Sequence, residues 1–233
     1  MSESLPVVLI PGLLLSARMY AQQVEVLWPQ GAVILANHTQ DDSMAALARR
    51  ILAQAPARFA LVGLSMGGYI SFEILRQAPD RVAKVALLDT MARPDTAEVS
   101  AARRAQMQLA MHGSFTDVVR TLIPRLVHHS RQEDADLTSL ILRMGEEVGV
   151  AAYLRQQTAN IGRIDSRPTL KDIRCPTLVL VGDSDQLTPP ERAAEIADGI
   201  RGAKLVVVPE CGHLSTLERP AAVNAALGAW LER

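Results

Sequence analysis

A chain of 233 residues, 48% hydrophobic and 21% charged, has enough apolar material for one domain, or one domain with a sizeable insertion, built around a real core. A formal charge of −1 removes the electrostatic case for nucleic acid or an anionic membrane surface, and 3% aromatics removes the case for base stacking. The two cysteines, Cys175 and Cys211, show neither a CxxC spacing nor a metal-ligand pattern and read as reduced thiols at the edges of apolar runs.

The N-terminal MSESLPVVLIPGLLL is apolar but lacks a basic start and is broken by Pro6, Pro11 and Gly12. It is too short to span a bilayer, so it reads as a strand and loop, and a cytoplasmic protein is the default. The first strand is PVVLI (6–10) and the second AVILA (32–36), followed by a helix over SMAALARRILAQA (43–55). A third strand, RFALVG (58–63), runs straight into a helix from about Met66, and VAKVALLD (82–89) is a fourth. From 92 to 170 no strand-like run occurs. Helical patterns cover AARRAQMQLAM (101–111), FTDVVRTLIPRLV (115–127) and DLTSLILRMGEEV (136–148), with many arginines and no lysine. This region is expected to be an all-helical insertion over one edge of the sheet, leaving 1–91 and 171–233 as the core. Strands resume at TLVLVG (177–182) and KLVVVP (204–209), with helices over 190–200 and 220–232. Strands this continuous in apolar residues are covered on both faces, so the fold class is α/β, a parallel sheet between helices.

The stretch FALVGLSMGGYISFEIL contains Gly63-Leu64-Ser65-Met66-Gly67. Gly-x-Ser-x-Gly alone is a weak signal. Set between a buried strand and a helix, it fits a nucleophile elbow, where the serine takes a strained backbone and bulky flanking residues would collide. The elbow places the Ser65 hydroxyl at the carboxyl end of a central strand and aims the Met66 N–H, at the positive end of the helix, toward the same point. A tight turn whose serine merely caps the helix is the competing reading.

A serine hydroxyl needs a base and an orienting carboxylate. After the strand at 177–182 the loop GDSDQLTPP offers Asp183 and Asp185, and after the strand at 204–208 the segment PECGHL offers His213. His38 follows the second strand and is a rival; His112, His128 and His129 lie in the helical region, and the adjacent pair 128–129 diverges on a helix and makes a poor metal site.

The three motifs GLSMGG, GDSDQLTPP and PECGHLSTLERP, in that order, resemble the α/β-hydrolase superfamily across nearly the whole chain outside the helical region. The resemblance implies Ser65 as nucleophile, His213 as general base and acid, and Asp185 rather than Asp183 as the acid that orients His213. LIPGLLLSARMY resembles the family's first oxyanion loop, with Pro11 where a histidine is common, and makes the backbone N–H of Leu13 the partner of Met66 in the oxyanion hole. It further implies six strands in the order 2-1-3-4-5-6 without the family's two leading antiparallel strands, and a helical cap after the fourth.

These parts make acyl transfer to water the expected chemistry, with a small-molecule ester as substrate and no metal or organic cofactor. Met107, Leu109, Met111, Leu122, Leu126 and Met144 are candidate pocket walls, although a methionine stripe equally suits core packing. Arg103, Arg104 or Arg155 could grip a substrate carboxylate, but interspersed acids favour surface pairing. Enol-lactone hydrolysis, carbon–carbon cleavage, elimination and a receptor that retains the triad stay open on this scaffold; dehalogenation is disfavoured, because related dehalogenases carry aspartate where Ser65 stands. No pattern in the sequence selects an oligomeric state.

Overall fold

The computed structural model describes residues 5–232. In chain order the elements are β1 (Val7–Ile10), α1 (Ala21–Leu27), β2 (Val33–Leu35), α2 (Met44–Gln54), β3 (Phe59–Leu64), α3 (Met66–Gln77) and β4 (Val82–Leu88). There follow α4 (Ala97–His112), α5 (Phe115–Leu126), α6 (Ala135–Ile161), β5 (Thr177–Gly182), α7 (Pro190–Gly199), β6 (Lys204–Val208), α8 (Ser215–Glu218) and α9 (Pro220–Leu231). All six strands are parallel, in the order β2-β1-β3-β4-β5-β6, as the sequence motifs imply.

Alternation along the strands divides the core. Val7 and Leu9 face one apolar cluster with Leu27 of α1 and Leu227 and Trp230 of α9. Val8 and Ile10 face another, with Leu47 of α2, Ile70 of α3 and Ile196 of α7. Helices therefore cover both faces, which is why β1, β3 and β5 are buried along their whole length. The outer strands depart from the expectation of two covered faces. β2 is only half-buried, and Leu205 and Val207 of β6 are 37% and 47% exposed, because an edge strand has no neighbour to carry the helical layer past it.

The region between β4 and β5 is helical, as expected. α4, α5 and α6 each start behind a side chain that accepts a backbone N–H of the first turn, from Thr96, Ser114 and Asp134 respectively. The helix expected to end at 148 continues to Ile161 after a kink at Gly149, whose φ of 73° lies in the left-handed region. The apolar side of these helices, including Val119, Ile123, Ile141, Met144 and Tyr153, joins the cluster that holds α1 and α9. No helix among the described residues is long and apolar enough to cross a membrane.

Candidate active site

β3 ends at Leu64, and Ser65 follows with φ 54° and ψ −113°, a conformation costly for any residue with a Cβ. Its N–H donates to the Leu88 carbonyl (2.9 Å) and its carbonyl accepts from Thr90 Oγ1 (2.8 Å), so the end of β4 holds the strained turn. A Cβ at Gly67 would run into the Ile10 carbonyl oxygen, and one at Gly63 into the Gly67 carbonyl. Bare backbone at these two positions lets α3 start this close to β1 and β3. Ser65 makes no capping bond to α3, which removes the capping reading of this serine.

The hydroxyl instead meets His213. Ser65 Oγ lies 2.8 Å from His213 Nε2, and His213 Nδ1 lies 2.8 Å from Asp185 Oδ2. A carboxylate at Nδ1 fixes the proton there and leaves Nε2 to accept from the serine. Ser65 is partly exposed, whereas His213 and Asp185 are buried. Asp185 is itself held by Thr188 Oγ1 (2.6 Å) and by the N–H groups of Leu187 (2.8 Å) and Thr188 (2.9 Å). Burial works to raise the Asp185 carboxyl, but His213 and the Thr188 donors together outweigh it and hold it below its ordinary value. Burial likewise works to lower His213, and the surrounding carboxyls, Asp185 foremost, carry it above its ordinary value.

Asp183 turns to other work: its carboxylate accepts from the N–H groups of Glu210 (3.0 Å) and Cys211 (3.2 Å), bracing the loop after β6. Two of the rival histidines are committed elsewhere. His38 Nε2 is committed to the Gly12 carbonyl (2.8 Å), and His128 Nδ1 to Ser130 Oγ (2.7 Å). Among the described residues no group of three or more His, Cys, Asp or Glu side chains could hold a metal ion.

Three supports of the site went unread in the sequence. Glu218 Oε1 accepts from the N–H of Gly212 (3.0 Å) and Leu214 (3.3 Å), on either side of His213, while Oε2 accepts from the His128 N–H (2.7 Å). The His213 N–H donates to Leu126 at the end of α5 (3.0 Å). Asp89, directly after β4, accepts from the Gly182 N–H (3.1 Å) and from Ser215 Oγ (2.5 Å), tying the strand before Asp185 to the helix after His213. Burial, reinforced by Asp185, pushes the Asp89 carboxyl up to about 8. The hold on Asp185, by contrast, has a local signal in the pattern Asp185-x-x-Thr188, an acceptor followed by donors two and three residues on.

The candidate pocket walls divide. Leu109 and Met111 are 63% and 44% exposed, Met144 is core, and Leu122 and Leu126 are partly buried against that core. Two of the three candidate arginines are engaged: Arg103 pairs with Asp95 (2.6 Å) and Arg155 donates to the Thr39 carbonyl (2.8 Å), while Arg104 is exposed. A cavity of about 590 Å³ lined by Arg58, Phe72, Val82 and Pro176 lies at the amino ends of the strands, away from Ser65 and containing none of its partners. Hydrogen-bonded chemistry at the carboxyl ends therefore marks the site better than cavity size.

A parallel sheet in this order, with a strained serine after β3 bonded to a histidine after β6, defines a recognisable class. The profile of the alpha/beta hydrolase family matches residues 7–226, and the chain belongs to that family. A thermophilic esterase from Thermogutta terrifontis superposes with a TM-score of 0.89 at 30% identity, covering 98% of this chain and 89% of that one. The (E)-2-((N-methylformamido)methylene)succinate hydrolase of Acinetobacter baylyi is 27% identical over 99% of this chain and 91% of its own. The pimeloyl-[acyl-carrier protein] methyl ester esterase of Neisseria meningitidis serogroup C is 24% identical over 88% and 84% of the two chains.

Proposed function

We propose that the chain is a serine hydrolase that cleaves carboxylic esters of small to medium apolar acyl groups through an acyl-enzyme. The observation that carries this reading is the unbroken bonding from Ser65 Oγ to His213 to Asp185. In it, His213 Nε2 takes the Ser65 proton as Oγ attacks the ester carbonyl. The N–H groups of Leu13 and Met66 receive the oxyanion, and the imidazolium returns its proton to the departing alcohol. Water, activated by the same imidazole, then releases the acid. Met66 opens α3, and neither its N–H nor that of Leu13 has a protein acceptor among the described residues. The segment 92–170 acts as the cap over this site. The two unpaired thiols suit a reducing compartment, so we place the protein in the cytoplasm.

Steady-state hydrolysis of p-nitrophenyl esters of increasing acyl length tests the reading. The expected result is many turnovers with a chain-length optimum. The profile of kcat/KM should fall on the acid side with a midpoint above the ordinary histidine value of 6.5, because His213 works as a base only when neutral and its partners raise it. Asp185→Asn should lower kcat by about 10⁴-fold, and Asp183→Asn by less than about tenfold. Equal losses in these two variants would remove Asp185 from its role.

A second reading, hydrolysis of unsaturated dicarboxylic substrates, is favoured by the kinship to the Acinetobacter hydrolase and belongs in the same panel. A receptor would stall as a long-lived adduct instead of turning over.

A further inference from the structure

The loop after β1 is held at two successive peptide units. The Gly12 carbonyl accepts from His38 Nε2 at 2.8 Å, and the next N–H but one, that of Leu14, donates to Gln156 Oε1 of α6 at 3.2 Å, across 142 residues of sequence. The Gly12 carbonyl and the Leu13 N–H belong to the same peptide group. A trans peptide is planar, so its carbonyl and N–H point in opposite directions, and whatever fixes one end aims the other. No cis peptide occurs among the described residues.

This peptide lies beside the nucleophile. A Cβ on Gly12 would stand 3.3 Å from Ser65 Cβ. Gln156 removes the Leu14 N–H from the possible oxyanion donors and leaves that of Leu13. Leu14 itself has φ 63°, a strained conformation that persists only where the surroundings impose it.

From this arrangement we infer that His38 is a positioning residue of the oxyanion hole: by donating from Nε2 to the Gly12 carbonyl it turns the Leu13 N–H toward the carbonyl oxygen of a substrate on Ser65. The inference rests on the acyl-transfer reading above. His38 is suited to the task. It is 2% exposed, and burial lowers it to about 4, so the ring is neutral at ordinary pH with its single proton on the nitrogen that faces Gly12. Its own loop is fixed on both sides, by the Ala36 N–H on Leu9 (2.9 Å) and by Arg155 on the Thr39 carbonyl (2.8 Å). A donor on the carbonyl also polarises the peptide and makes its N–H a stronger donor. The Leu15 N–H gives the Gly12 carbonyl a second, longer bond (3.2 Å), so loss of His38 misaims the peptide without releasing the loop.

The test is the rate at which an alkyl fluorophosphonate labels Ser65, read by mass spectrometry, in wild type, His38→Phe, His38→Leu and His38→Gln. Phosphonylation builds negative charge on an oxygen at Ser65 without needing the natural substrate. Either donor-free variant that folds, as judged by circular dichroism and Tm, should label about 10- to 100-fold more slowly, below the full loss of an oxyanion donor. His38→Gln, which offers an amide donor, should recover most of the rate. Where p-nitrophenyl esters turn over, kcat should fall with KM unchanged, a split that general loosening of the fold would not produce. Wild-type labelling rates in a folded donor-free variant, or no recovery in His38→Gln, would overturn the inference. A wild type that labels at Ser65 but hydrolyses no ester sinks the ester reading alone, and the variant ratios still judge His38. A folded wild type that never labels overturns both.

Discussion

Ser65→Ala is expected to lower kcat for ester hydrolysis by about 10⁴- to 10⁶-fold while leaving a folded protein, because the proposed mechanism makes the hydroxyl the nucleophile and its partners keep their own hydrogen bonds. His213 would still be held by Asp185 and through its backbone by Leu126. The companion variant Ser65→Gly separates chemistry from strain. Both lose the Oγ–Nε2 bond, but only glycine accepts φ 54° without a steric penalty. Ser65→Gly should therefore be more stable than Ser65→Ala by about 1 kcal/mol, after the entropy of the more flexible residue is set against the relieved strain. Thermal melts of the two inactive proteins read the difference directly, and equal Tm values would mean that the strain only matches the entropy cost of glycine, about 0.4–1 kcal/mol.

Gly67→Ala should be among the most damaging single methyls in the site. The added carbon would meet the Ile10 carbonyl oxygen and stand 3.0 Å from that of Pro11, both backbone atoms of a buried strand and its following loop. Neither can swing aside as a side chain could. A loss of about 3 kcal/mol follows, or about 6–12 °C in Tm for a chain of this size. Activity should fall with it, since the same shift moves the start of α3 and the Met66 N–H. Gly228, where a Cβ would meet nothing, is the control: Gly228→Ala should leave Tm unchanged or raised.

Much of this was legible because the decisive signals are local. Continuous apolar runs mark strands buried between helical layers, and the elbow is a five-residue pattern whose glycines answer to backbone clashes within one turn and the adjoining strand. The short α1 had no comparable pattern. AQQVEVL buries only Gln23 and Leu27, too few positions to set a period. The choice between Asp183 and Asp185 came from family resemblance, and the structure gives its physical basis: Asp185 is folded back on its own loop by Thr188, while Asp183 reaches across to the loop after β6. What stayed hidden were the supports made by distant pairs. Gln156 on Leu14, Glu218 on His128 and Asp89 on Ser215 join residues whose types are ordinary helix or loop polar groups, and only the closed chain shows that each is buried against a distant partner.

The bond from the His213 N–H to Leu126, together with Glu218 reaching His128, makes the seat of the imidazole a shared construction of α5 and the final loop. Segment 92–170 is thus poor material for cassette exchange. A chimera that grafts a foreign helical segment in its place would have to rebuild the residues around 126–128 against the recipient's own histidine loop. Trimming the segment away would deliver a protein with Ser65 in place and His213 adrift.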